Sequence, residues 1–166
     1  ENLDGSRRFL TQEDLQVLVS FQYQLDDEIK KGEINFFDSA YSIFNASLLK
    51  TQEYYREILS TPFEFNTKET FEVDGEKRPY AKNDAELKDL WRKYLKYETL
   101  NRVLDKIESQ ESESSANAEI PKKSMEELEK EAREATLKSY DDLFGRLQKV
   151  KRSDRFGDYL NAISAM

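Results

Sequence analysis

The chain has 166 residues, enough for one sizeable core and short for two independent domains. Charged residues make up 36% and hydrophobic residues 37%, yet ten Phe and nine Tyr supply more packing surface than a disordered chain carries, so the chain is expected to fold. A net charge of −8, with Lys and Arg spread along the chain, argues against nucleic acid as a partner; the absence of His and Cys removes disulfides, thiolate nucleophiles, imidazole acid–base chemistry and nearly all zinc-site patterns.

Only five Gly and three Pro punctuate the sequence, which favours long helices over many short strands. No apolar run approaches the roughly 20 residues that span a bilayer, and nothing at Glu1 looks like a signal peptide. Because the chain begins without Met, it reads as an excised piece of something larger.

Residues 1–10 are polar, with Asp4-Gly5-Ser6 as a turn signal. Thr11 followed by Asp14 opens a predicted amphipathic core helix whose face is Leu15, Leu18, Leu25 and Ile29, broadened by Val19 and Phe21, and Gly32 offers a left-handed stop. Asn35 and Asp38 repeat the capping pattern. From there Phe37, Tyr41, Phe44, Leu48, Thr51, Tyr55 and Ile58 alternate by four and three, the repeat that seats one helix along another. Pro62 ends this second helix; spanning 36–60, it would be about 37 Å long at ~1.5 Å per residue. Its tyrosines read as packing groups.

Between Pro62 and Lys82 the helical period breaks. Phe63-Glu64-Phe65 and Thr70-Phe71-Glu72-Val73 alternate, and Asp74-Gly75 is a turn dipeptide, so residues 62–82 read as a long loop, or a short hairpin, strapped to the helices by Phe63, Phe65, Phe71 and Tyr80.

Asn83 with Glu86 then starts a long helix with Leu87, Leu90, Tyr94, Tyr97 and Leu104 on one face, widened by Trp91 and Leu95. Its expected partner is the helix over 36–60. Residues 108–119 lack an apolar period and read as a solvated link, a flexible insertion of about 108–122. Ser124 with Glu127 opens another helix, faced by Leu128, Ala132, Ala135, Tyr140, Leu143, Leu147 and Val150, with its charged first half expected to be the more exposed. Ser153-Asp154 caps a last helix carrying Phe156, Tyr159, Leu160 and Ile163, which reaches Met166 without a stop signal and is expected to continue in the parent protein.

The expected fold is therefore all-α, one domain over 1–166, a bundle of about four to five helices with two long central ones. Chemistry is not in evidence: no Ser sits in a Gly-rich turn beside an oxyanion hole, and the single glycines form no phosphate loop. The clusters Asp26-Asp27-Glu28 and Glu126-Glu127-Glu129 read as solvated helix faces, and a di-metal carboxylate bundle would want Glu-x-x-His pairs. No catalytic, cofactor-binding or metal residue is assigned, and no cofactor is expected.

One segment carries further information. Pro79-Tyr80-Ala81-Lys82-Asn83, then Glu86-Leu87, Leu90-Trp91 and Lys96-Tyr97-Glu98, resembles the N-terminal helical region of bacterial tail-specific, or carboxy-terminal processing, proteases. Phe9-Leu10-Thr11 with Asp14-Leu15, Asp27-Glu28-Ile29-Lys30 with Gly32, and Tyr54-Tyr55-Arg56 with Ile58-Leu59 and Pro62-Phe63 resemble the same family in the same order. Tyr80 stands where some relatives carry Trp, an aromatic in either case.

The resemblance implies a periplasmic serine endopeptidase that recognises nonpolar C-termini through a PDZ domain and cleaves with a Ser/Lys dyad. Any membrane association would be made through the parent protein. Both dyad members would lie beyond Met166. This region would be a non-catalytic scaffold for the PDZ and protease core that helps enclose or orient protein substrates, with an adaptor protein as a possible further partner. The alternative from another class is a free-standing helical adaptor with no attached enzyme.

Overall fold

A helix needs partners for its first backbone N–H groups, and side chains near the helix starts supply many of them in this protein. The computed structural model describes residues 3–116 and 121–164. The helices are α1 (Gln12–Val19), α2 (Leu25–Lys31), α3 (Asn35–Ile58), α4 (Asp84–Ala116), α5 (Met125–Leu147) and α6 (Arg152–Ser164). Full capping boxes form at Thr11/Asp14 and Ser124/Glu127, as the spacing predicts. At α4 the Glu86 N–H donates to Asn83 Oδ1 (3.1 Å), but the Glu86 carboxylate reaches one residue further back than in a capping box, to the Lys82 N–H at 2.9 Å.

The start of α3 departs from expectation. Asn35 and Asp38 make no cap; instead Glu28 accepts the Phe36 N–H at 3.0 Å. Gly32, at φ +70°, turns the chain back so that α2 delivers this carboxylate to the neighbouring helix end, where Glu28 is buried. Glu28 is therefore a buried cap and not part of a solvated face.

Six helices appear among the described residues because the single helix expected between Thr11 and Gly32 breaks at residues 20–24. The Ser20 hydroxyl donates to the Val17 carbonyl (2.6 Å), and three-residue turn bonds, including Phe21 N–H to Leu18 O, replace the helical ladder. No residue of α1 is fully buried, so packing does not hold the segment straight. The break swings Phe21 onto Phe36, 5.9 Å between ring centroids.

At the other extreme α4 runs through Ala116, so residues 108–116, expected to be link, are helical. Nothing between Asp84 and Ala116 breaks a helix, since the stretch has no Gly or Pro and its Glu and Gln residues have good helix propensity. Of the remainder of the expected insertion, residues 117–120 lie outside the described residues and 121–122 are not helical.

The 33-residue α4 packs against both α3 and α5, and more extensively against α5. Its fully buried line is Leu87, Trp91, Leu95, Thr99 and Val103, every fourth residue. That differs from the expected stripe: Tyr97 is 38% and Leu104 49% exposed, because two neighbours, and not one, select the buried side. On α3 the alternation holds, with Phe37, Phe44, Leu48, Thr51 and Tyr55 all buried. The main core joins Phe44, Leu48 and Tyr55 to Leu10, Leu59, Tyr140 and Phe144. A second cluster of Val103, Leu128 and Ala132, flanked by Phe65 and Ile107, buries the inner face of the first half of α5, which had been expected to be the more exposed half. Ala132 is small enough to let the two helices approach there.

Residues 62–82 strap the bundle as the aromatics foretold. Phe63 packs on the main core and Phe65 on the second cluster, and Phe71 lies 5.7 Å from Tyr94. The hairpin does not form: among the described residues the one bridge joins Thr11 to Ala81, with the Gln12 N–H donating to Ala81 O at 2.8 Å. Gly75 turns against Ser6 so closely that a Cβ would stand 2.8 Å from the Ser6 backbone.

Candidate functional site

Buried ionisable groups are the usual pointers to chemistry, and here each has a structural assignment. Asp4, at 4% exposure, accepts the N–H groups of Arg8, Phe9 and Leu10 at 2.9 to 3.0 Å. Glu129 accepts the Phe63 N–H (3.0 Å) and pairs with Arg133 Nε (2.9 Å), while Arg133 Nη1 donates to Leu59 O (2.8 Å). Like Glu28, Glu129 overturns the reading of its cluster as a solvated face: it anchors the strap to α5 and the end of α3. The signal in the sequence was the i, i+4 pair of Glu129 and Arg133, one register position from Leu128 and Ala132.

The core tyrosines are packing groups, whereas Tyr23 stands 87% exposed. Tyr55 donates to Asp141 at 2.8 Å, which together with Arg56 holds the Asp141 carboxyl below its usual range. Burial pushes Tyr140 far up, and its ring lies 5.7 Å from Trp91. The closest approach to a hydroxyl–lysine pair is Thr67 with Lys96, exposed and shared with Glu69, so the ammonium serves an ion pair. No group of three acidic side chains gathers to hold a metal among the described residues.

Two depressions stand out among the described residues. One, of about 500 Å³, lies between α1, α2, α3 and α6, with Leu15, Leu18, Phe36, Tyr41 and Tyr159 on its walls and Arg155 stacked 4.7 Å over Phe44. The other, of about 540 Å³, separates residues 70–72 and 78–81 of the strap from Ala85, Glu86, Asp89, Leu90 and Lys93 on α4. Arg78 closes its end. It is 6% exposed, donates through Nη1 to Glu72 O (2.9 Å) and through Nη2 to Ser6 O, and stacks over Phe71; its Nε has no partner. Burial, with Arg8 nearby, holds its guanidinium below the usual range.

The family of tail specific protease N-terminal domains, compared as a sequence model, matches residues 1–166, the whole chain. The chain belongs to that family. Three of the segments that carry the resemblance in the sequence of this tail-specific protease N-terminal domain contribute to its core: Phe9 lies 6.0 Å from Trp91, and Tyr55 is buried in the same cluster. Their role is packing. No helix among the described residues is long and apolar enough to cross a membrane.

Proposed function

We propose that this is the non-catalytic N-terminal domain of a carboxy-terminal processing serine endopeptidase of the bacterial periplasm, scaffolding the PDZ and protease core and helping to enclose or orient protein substrates. The observation that carries the reading is the match of the whole chain to the tail-specific protease N-terminal domain family. The domain's own architecture supports a scaffolding part: three long helices share one core, the strap is held to α5 by Glu129, and the N-terminal segment is held to α4 by Trp91. A wall of this kind keeps its shape when a neighbouring domain or an extended substrate pushes on it.

The test is deletion of residues 1–166 from the full-length protease, followed by cleavage of a folded substrate bearing a nonpolar C-terminal tail and of a short peptide with the same tail. Loss or misplacement of cleavage in the folded substrate, with the short peptide still cut, is expected. Unchanged rate and cleavage sites on both would overturn the reading.

A further inference from the structure

The groove of about 500 Å³ is flanked by α1 and α6, two helices that carry apolar faces and yet have no fully buried residue. Leu15, Leu18, Leu25, Phe36, Tyr41 and Tyr159 line it and stay half-buried, so the fold gathers these side chains without covering them. Its volume is that of a small-molecule site.

One cation stands in this apolar wall. The Arg155 guanidinium lies 4.7 Å from the centre of the Phe44 ring, which shields one face of it from water. Its Nη2 reaches the Leu147 carbonyl at a long 3.4 Å, and its Nε is buried without an acceptor among the described residues. Arg152, three residues earlier, pairs with Asp38, whereas Arg155 has no ion-pair partner among the described residues. The two carboxylates at the groove do not serve it. Both oxygens of Asp4 are taken by the N–H groups of Arg8, Phe9 and Leu10, and Asp158 is exposed to solvent. A buried donor left without an acceptor is costly, and an anionic oxygen relieves that cost most strongly. Charge complementarity therefore selects an apolar body with an anionic head.

The walls also discriminate between such bodies. Most lining residues belong to α1, α2, α3 and α6, whose backbone groups are engaged along the helices. Apart from Arg155, the two carboxylates and tyrosines, the polar side chain at the groove is Gln22. A polypeptide would bury an amide at every residue with few partners to meet it, a cost that an aliphatic chain does not incur.

We propose that this groove binds a long-chain aliphatic monocarboxylate, its chain lying between α1, α3 and α6 and its carboxylate on Arg155. The occupant buries the open faces of α1 and α6 and clamps both helices onto α3. It is independent of the domain's part in substrate handling.

The probe is cis-parinarate, a polyunsaturated fatty acid whose fluorescence rises on burial, mixed with the full-length protease and displaced by decanoate or by decan-1-ol. Decanoate is expected to displace it roughly tenfold more effectively than the alcohol, the scale of a hydrogen bond to a charged group. Arg155→Met keeps an apolar stem over Phe44 and loses the cation; it is expected to bring decanoate to the level of the alcohol and to leave the alcohol unchanged. Ala162→Trp, which fills the groove from an exposed position on α6, is expected to weaken both competitors without shifting the melting temperature. Absence of probe binding, equal displacement by acid and alcohol in the wild type, or indifference to both substitutions overturns the assignment. So does displacement by an alanine–leucine hexapeptide as effective as that by decanoate, which would make a polypeptide carboxy terminus the occupant. Dimerisation of the protease that Ala162→Trp abolishes would overturn it too, in favour of a second copy.

Discussion

The indole Nε1 of Trp91 donates to the backbone carbonyl of Arg8, 2.7 Å away and 83 residues earlier in the chain. Trp91 is 1% exposed, and its ring meets Phe9, Tyr94, Tyr140 and Phe144. Replacing it with Ala empties the point where the N-terminal segment, α4 and α5 meet. The expected cost is roughly 3–5 kcal/mol, read as a lower urea midpoint at unchanged slope. Trp91→Phe, which keeps most of the apolar contact and loses the hydrogen bond, is expected to fall between the two.

Asp4 is the second anchor of the same segment. Its two carboxylate oxygens accept three successive N–H groups, of which that of Leu10 is buried. Asp4→Ala strands these donors away from water and is expected to destabilise by roughly 3 kcal/mol. Amide hydrogen exchange gives a local readout: Leu10 should exchange faster in the variant by more than the global loss of stability explains.

For Glu129 the outcome depends on what is left behind. Glu129→Ala abandons Arg133 beneath the strap and frees the Phe63 N–H, with an expected loss of about 3–5 kcal/mol. Replacing Glu129 and Arg133 together by Met removes the stranded charge and should cost less than Glu129→Ala alone. A double variant less stable than Glu129→Ala in chemical denaturation would show that the bonds from this pair to Phe63 and Leu59 outweigh the cost of burying its charges.

Acid should weaken the contact between α3 and α5. The hydrogen bond from Tyr55, then that from Arg56, lowers the Asp141 carboxyl in the folded protein. Its contribution is therefore complete above the unfolded value near ~4 and is lost as pH falls through the lower folded value. Asp141→Asn should be less stable than the wild type at pH 6, with the gap narrowing toward pH 2. A gap that stays constant over this range in denaturation midpoints would refute the linkage.

The long-period features were legible in the sequence. The alternation from Phe37 to Tyr55 fixes the buried face of α3, and the caps at Thr11 and Ser124 are local chemistry that needs no tertiary help. What escaped was whatever a second neighbour decides. Thr99 and Val103 joined Leu87, Trp91 and Leu95 on the inner line of α4 because α5 competes with α3 for it, and periodicity in one helix carries no record of that competition. Glu28 and Glu129 look like surface carboxylates until Gly32 and the strap bring backbone N–H groups to them. The strap cleft was hidden for a similar reason: alternation signals extended chain, whereas pairing depends on whether a partner arm lies within reach.

The three ring contacts of Phe9, to Phe44, Trp91 and Phe144, also bear on the order of assembly. A ribosome releases residue 9 long before residue 144, on the order of ten seconds earlier at ~5–20 residues per second. The N-terminal segment has no regular helix before Gln12 to stabilise it while it waits. This segment is thus made before its partners and seated after them, and pulse-labelled exchange during refolding should find the Leu10 amide protected after those of α3 and α4.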